Sequence, residues 1–155
     1  YAGSIWDKKG VRLRNATTTT IAPTGTLSVL AGTSSGIEPV YDIEYSRVLF
    51  GGLRVEMTDP LYKEMGGVLG PDRLKMLFRK AYDVAPEWHL AVQKAFQDHV
   101  DNAVSKTINL RAAATPDDIR AIYFKAWEMG LKGITVFRDT SRDSQVLSCR
   151  TQQTC

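Results

Sequence analysis

"SKTINLRAAATPDDIRAIYFKAWEMGLKGITVF", residues 105–137, places three elements in a row and decides the fold class. Ser105 to Leu110 reads as a strand. Thr115-Pro116-Asp117-Asp118 then supplies a cap, a first-turn proline and early carboxylates that suit the positive end of a helix dipole. Ile119, Ile122, Tyr123, Ala126 and Trp127 recur at helical spacing, so the spacing predicts a helix over 116–129 with those residues on its buried face. Gly130 is placed to end that helix in a left-handed conformation. Gly133 to Phe137 is a second short strand. Strand, helix, strand at this spacing is a βαβ crossover, which requires a parallel sheet and an α/β fold.

Upstream, Trp88, Ala91, Val92, Ala95, Phe96, His99 and Val100 form one stripe, which predicts a helix from Pro86 onward. Pro71 opens another helical pattern through Leu74, Leu77, Phe78, Ala81 and Tyr82, and Asp59-Pro60 caps a short helix that runs out at Gly66-Gly67. Ile43 to Val55 has strand character broken by Gly51-Gly52, which fits a hairpin or a bulged strand. Thr17 to Ile21 is β-branched throughout and reads as a strand ended by Pro23 and Gly25. Residues 1–14 are a polar surface segment, 15–137 hold the α/β elements, and 138–155 lose all periodicity and read as a mobile tail.

Composition bounds the function. With 155 residues, 43% hydrophobic and 24% charged, the chain suits one globular domain. Its net charge of +3 is interspersed and too mild to argue for nucleic acid or a membrane surface. No apolar run reaches the roughly 20 residues of a membrane helix and no signal peptide is seen, so a cytoplasmic protein is expected. A chain that begins at Tyr1 rather than Met reads as a piece of something longer.

Two regions bear chemistry. Pro23, Thr24, Gly25, Thr26 and Leu27 lie between a strand and an apolar run, where backbone N–H groups at a helix start face an anion. On that reading Gly25 allows the tight turn, and the hydroxyls of Thr24, Thr26 and Ser28 add donors to phosphate oxygens. An ordinary helix cap explains the same residues, and the segment has neither a Walker lysine nor a GxGxxG fingerprint. In the tail, Cys149 and Cys155 are spaced for a disulfide across a small loop; two unrelated thiols or half of a zinc site remain open, with a redox pair favoured for a cytoplasmic chain. His89 and His99 share a helix without metal-ligand spacing, and His99, on the apolar stripe, reads as a hydrogen-bonded core residue. Glu38, between Ile37 and Pro39, reads as a buried structural carboxylate.

Three blocks carry a family resemblance: "RNATTTTIAPTGTLSVLAGTSSGIEP" (14–39), "FQDHVDNAVSKTINL" (96–110) and "GLKGITVFRDTSR" (130–142). Together they resemble the C-terminal part of the catalytic subunit of class II ribonucleotide reductases, the adenosylcobalamin-dependent kind, over the chain up to about Leu147. The resemblance implies the C-terminal portion of that family's ten-stranded α/β barrel, in which a thiyl radical starts reduction of the ribose. It implies that Pro23 to Leu27 bind the substrate's di- or triphosphate through backbone amides, with Ser28 as an extra donor. It makes Cys149 and Cys155 resemble the family's C-terminal pair, which re-reduces the active-site disulfide and passes the oxidation to a thioredoxin-like or glutaredoxin-like dithiol. The iron-dependent class carries two relay tyrosines at positions matching Thr135 and Val136, so these two residues favour the cobalamin class.

The family's radical loop, Asn-x-Cys-x-Glu, is absent from the 155 residues. Activity is therefore expected only together with the remaining N-terminal part of the reductase, and the segment alone, with strand edges uncovered, is expected to self-associate. The competing expectation is a module that binds nucleotide phosphates or a partner chain without chemistry, or the corresponding piece of an iron-dependent enzyme.

Overall fold

A computed structural model describes residues 1–48, 50–141 and 147–149. Its centre is the crossover read from the sequence. Strand β3 (Thr107–Leu110) pairs in parallel with β4 (Thr135–Arg138), with Thr107 opposite Thr135 and Leu110 opposite Arg138, numbering the strands as they fall along the chain. The connecting helix α6 spans Pro116–Glu128. Its start is a full capping box: the Thr115 hydroxyl accepts from the Asp118 N–H, and the Asp118 carboxylate accepts from the Thr115 N–H at 2.8 Å. Its end is Gly130 at φ +68°, a left-handed position that favours glycine, followed by a return bond from the Leu131 N–H to the Ala126 carbonyl.

The other helices are α1 (Ile5–Lys8), α2 (Gly25–Ala31), α3 (Pro60–Gly66), α4 (Pro71–Leu77) and α5 (Pro86–Gln97). Asp59 caps α3 as expected, accepting from the Tyr62 N–H at 2.9 Å. α4 is shorter than the apolar spacing suggested: Phe78 leaves the helix at ψ 86°, and Ala81 and Tyr82 are buried from a separate 3₁₀ turn. β1 (Glu44–Val48) and β2 (Arg54–Thr58) form the expected antiparallel hairpin around Gly51-Gly52.

The remaining edge of β1 takes β5 (Leu147–Cys149), in antiparallel register with Tyr45 opposite Cys149. Unbroken irregularity after residue 138 was the sequence expectation, and this pairing departs from it. An open strand edge satisfies its backbone groups with whatever extended segment comes near, which periodicity in a three-residue piece cannot reveal.

The threonine run is also different from a regular strand. Only Ile21 makes a bridge, parallel to Val104, while Thr17 to Thr20 belong to no strand and are tied mostly by side chains, with one backbone bond from the Asn102 N–H to the Thr19 carbonyl. Thr18 donates its N–H and hydroxyl to the Asp101 carboxylate at 2.8 and 2.7 Å, the Asp101 N–H donates to the Thr19 hydroxyl at 2.9 Å, and Thr20 donates to the Ala103 carbonyl. These bonds hold the Asp101 carboxyl below its ordinary value, the Thr18 hydroxyl being the largest contributor. Residues 17–21 thus run beside 101–105, the approach to β3, while β3 and β4 form the paired wall.

Behind that wall Leu90, Ile108, Leu110, Ile122 and Ala126 form the core. The stripe expected to be buried on α5 is turned outward: Trp88 is 68% exposed, and Phe96, Val92 and His99 are exposed too. The buried face carries His89, Leu90, Gln93 and Gln97. His99 is therefore no core residue; His89 is. On α6 Ile122 and Ala126 are buried as expected, but Tyr123 and Trp127 are exposed. On α5 the inner face carries Gln93 and Gln97, whose amides reach carbonyls in the segments leading into β3 and β4: Val104 and Gly133 for Gln93, Val100 and Asn102 for Gln97. Among the described residues no helix is long and apolar enough to cross a membrane.

Candidate functional site

The candidate phosphate loop begins with a left-handed residue. Thr24, the N-cap of α2, has φ 50° and ψ 31°, a conformation that costs a non-glycine residue about 1–2 kcal/mol. Sequence reasoning assigned the tight turn to Gly25; the chain makes it one residue earlier, and Gly25 opens the helix. Thr24 does not cap with its side chain. Its hydroxyl oxygen instead accepts from the Gly36 N–H at 3.1 Å, while its carbonyl takes the Ser28 N–H.

Thr26 and Leu27 sit in the first turn of α2 and are exposed, so their N–H groups have no carbonyl four residues back within the helix. Pro23 is exposed as well. Ser28 departs from its expected role as a phosphate donor. It is buried, donating its hydroxyl to the Gly25 carbonyl at 2.8 Å and lying 2.8 Å from the Ser35 hydroxyl.

Beside this loop lies a cleft of about 750 Å³. Its walls are the later half of α2 and the loop after it, the segment 38–42, the β1–β2 hairpin, and the side chains of Thr107, Asn109, Thr135 and Phe137 on β3 and β4. Pro23 to Leu27 are not among the lining residues; the cleft meets α2 from Ser28 onward. The volume is in the range of sites that hold a nucleotide-sized ligand.

A layer of buried polar groups supports the cleft floor. The Lys106 ammonium, 3% exposed, donates to the Glu38 carboxylate at 2.6 Å and to the Thr107 carbonyl at 2.7 Å, and the Thr107 N–H donates to the other Glu38 oxygen at 2.5 Å. Burial pulls the Lys106 ammonium below its ordinary value while Glu38 opposes that shift. Tyr41 and Tyr82 place their hydroxyls 3.3 Å apart with edge-to-face rings; burial, the larger cause for each, raises both above the ordinary tyrosine value. Asp42, also buried, pairs with Lys80 at 2.8 Å.

Sequence reasoning saw Glu38 as a structural carboxylate and missed its partner. A signal was present: Lys106 alternates with Ile108 and Leu110, so a lysine stood on a strand face otherwise apolar, and a buried lysine requires a carboxylate.

His89 lies next to this layer. Nε2 donates to the Ala81 carbonyl at 3.1 Å, and Nδ1 is buried without a partner, so the ring is held neutral. Burial, then the nearby Lys106 charge, keep its pKa below the ordinary 6.5. An unfolded chain therefore takes up a proton here before the folded one does. Stability is full above about pH 6.5 and falls as pH drops below it, by at most about 1.4 kcal/mol per pH unit for one proton. Urea unfolding between pH 7.5 and 5 should show this slope, and His89→Gln should flatten it; an unchanged slope in the variant would assign the proton elsewhere.

Neither tail cysteine adds to the described site. Cys149 is placed by its backbone in β5, and Cys155 lies outside the described residues. Among the described residues no three His, Cys, Asp or Glu side chains gather where a metal ion would be held.

The fold agrees with the comparisons to known proteins. The family model described as "Ribonucleotide reductase, barrel domain" matches residues 6–137. The chain belongs to this ribonucleotide reductase family. A relative from Thermoplasma acidophilum, named vitamin B12-dependent ribonucleoside-diphosphate reductase, is 39% identical across 99% of this chain and 23% of its own length. A relative of the same name from Mycobacterium tuberculosis is 44% identical across 96% of this chain and 24% of its own. A crystal structure of a B12-dependent class II ribonucleotide reductase superposes with a TM-score of 0.52 over 85% of this chain and 21% of that one, at 19% identity, which shows the shared fold. The chain thus spans about a quarter of the reductases it matches, and its α/β elements are a portion of the reductase barrel.

Proposed function

We propose that this chain is the segment of a cobalamin-dependent ribonucleotide reductase that cradles the substrate's phosphates and forms one wall of the substrate cleft. The observation that carries the reading is the loop at 23–27: a left-handed Thr24 turns the backbone so that the first-turn amides of α2 face outward, beside a cleft of nucleotide size. Phosphate oxygens then take the N–H groups around Thr26 and Leu27, and the Thr24 and Thr26 hydroxyls add donors. Ser28, already bonded, shapes the turn from within.

In this reading the substrate is a ribonucleoside di- or triphosphate, and the radical cysteine comes from the remaining part of the reductase. Cys149 and Cys155 would supply a dithiol: it reduces the active-site disulfide, becomes a disulfide itself, and is restored by a thioredoxin-like or glutaredoxin-like dithiol. Delivery of Cys149 requires the three-residue β5 pairing to release. Adenosylcobalamin, when bound to the parent enzyme, supplies the radical. The described cleft suits a nucleotide and does not by itself enclose a corrin with its nucleotide arm, so no step is assigned to these residues through the cofactor.

Two measurements test the proposal. Combined with a chain that carries the Asn-x-Cys-x-Glu loop, the segment should support ribonucleotide reduction only when adenosylcobalamin is added. An inactive mixture, or activity that depends on an iron-loaded small subunit, would overturn the assignment. Thr26→Asp places a carboxylate at an exposed first-turn position, which helps the helix dipole but repels phosphate. Binding of a nucleoside diphosphate should weaken at least about tenfold, roughly 1.4 kcal/mol, with stability unchanged or slightly raised. Equal affinity in calorimetry would remove the loop from the phosphate site.

A further inference from the structure

The left-handed Thr24 is held by a chain of contacts that ends far from it in sequence. Its hydroxyl oxygen accepts from Gly36, and Ser28, one turn into α2, meets Ser35. Gly36 itself lies flush against the segment entering the loop: it has φ +52°, and a Cβ there would sit 3.2 Å from the Ala22 carbonyl oxygen. The Glu38 N–H closes a turn onto the Ser35 carbonyl at 2.9 Å. The Glu38 carboxylate then fastens this whole loop to β3, through the buried Lys106 ammonium and the Thr107 N–H.

We propose that the Glu38–Lys106 pair is a positioning device that clamps loop 33–38 to the barrel wall and, through Ser35 and Gly36, fixes the shape of the phosphate loop. The proposal deepens the phosphate-cradle reading, and its structural half stands without it. The physical argument is over-determination. A strained φ at Thr24 persists only where its surroundings permit nothing else, and here the surroundings are one short loop with one strong anchor. The anchor is strong because both partners are withdrawn from water: Lys106 is buried, Glu38 is mostly so, and both carboxylate oxygens are occupied. Loosening Glu38 removes the fastening to β3 and leaves Ser35 and Gly36 held by the phosphate loop itself and by the more distant bonds at Val40 and Asp42. Neither Glu38 nor Lys106 needs to touch the phosphate.

Hydrogen exchange of the chain, and pyrophosphate binding to it, test the coupling. Glu38→Gln should raise exchange at the amides of 24–28 and 36 by about tenfold or more while α5 and α6 keep their protection, and Ser35→Ala, which leaves the ion pair in place, should do the same. Thr115→Ala, which removes the α6 cap, is the control for general loss of stability and should spare the loop. In the assembled reductase Glu38→Gln should raise KM for the nucleotide about tenfold and leave kcat within about threefold, as expected for lost binding geometry. Loop exchange that stays at the wild-type level, or that rises only in step with the control, would overturn the proposal. Should Glu38→Gln fail to fold, Glu38→Asp, which keeps the charge but is too short to hold both Lys106 and the Thr107 N–H, decides the question by the same criterion. If the wild-type chain does not bind pyrophosphate, the phosphate reading falls, and the exchange pattern alone still decides whether Glu38 positions the loop.

Discussion

Ile108→Ala should lower the unfolding free energy by about 2–5 kcal/mol, a large share of the 5–15 kcal/mol typical of a whole domain. Ile108 is 0% exposed at the middle of β3, within the cluster formed with Leu90, Leu110, Ile122 and Ala126. It is paired on one side with Val136 of β4 and faces both α5 and α6, so no neighbour can move into the space without shifting a strand or a helix. The lost transfer energy and the residual cavity therefore add. Urea unfolding followed by circular dichroism measures the loss. Trp127→Ala, a larger truncation at a site 76% exposed, serves as the comparison and should change stability by about 0.5 kcal/mol or less. Equal effects at the two sites would contradict the placement of the core.

Gln93→Leu should be nearly as damaging, about 2–4 kcal/mol, although leucine is close in size and more apolar. The Gln93 amide donates to the Val104 carbonyl at 3.0 Å and to the Gly133 carbonyl at 2.9 Å, in a position with no exposure to solvent. Those two carbonyls lie at the approaches to β3 and β4, so one side chain staples the entrances of neighbouring parallel strands. Leucine leaves both acceptors without a donor. The gain from replacing Oε1, which has no partner in the native site, offsets only part of that cost. Hydrogen exchange should localise the damage to residues 104–110 and 133–138. A variant as stable as the wild type, with unchanged exchange in these strands, would show that the staple carries no energy.

These two residues mark the boundary between what could be read along the chain and what could not. Ile108 was legible because it sits in a strand between turn signals and is followed by a capped helix and another strand; those are local patterns. Gln93 was not, because α5 has apolar residues on two faces. Counting periodicity favoured the face with Trp88, Val92 and Phe96, whereas packing against β3 and β4 selected the face with His89, Leu90, Gln93 and Gln97. Helical spacing says which residues share a face, not which face has a partner. Partner carbonyls are long-range facts.

The phosphate loop shows the same division. Residues 23–28 could be picked out as a turn and helix start, and the family motif pointed to their role. The tight turn was nevertheless expected at Gly25, since glycine tolerates a positive φ without help. Thr24 takes it because Gly36, twelve residues on, supplies the hydrogen bond that holds it there. Likewise the run of threonines looked like a strand but is fastened through Asp101, Asn102 and Ala103, more than eighty residues away.

By itself, then, the sequence determined the crossover from 105 to 137 with the cap and stop of its helix, a break at Gly51-Gly52 that fits a hairpin or a bulged strand, and membership in a reductase family, because each rests on neighbouring residues or on joined motifs. The tertiary structure alone decided which face of α5 is buried, that Ser28 turns inward, that β5 completes the hairpin sheet, and that Lys106 meets Glu38. Each of those depends on a group distant in sequence whose burial leaves it one available partner, and only the folded chain brings the two together.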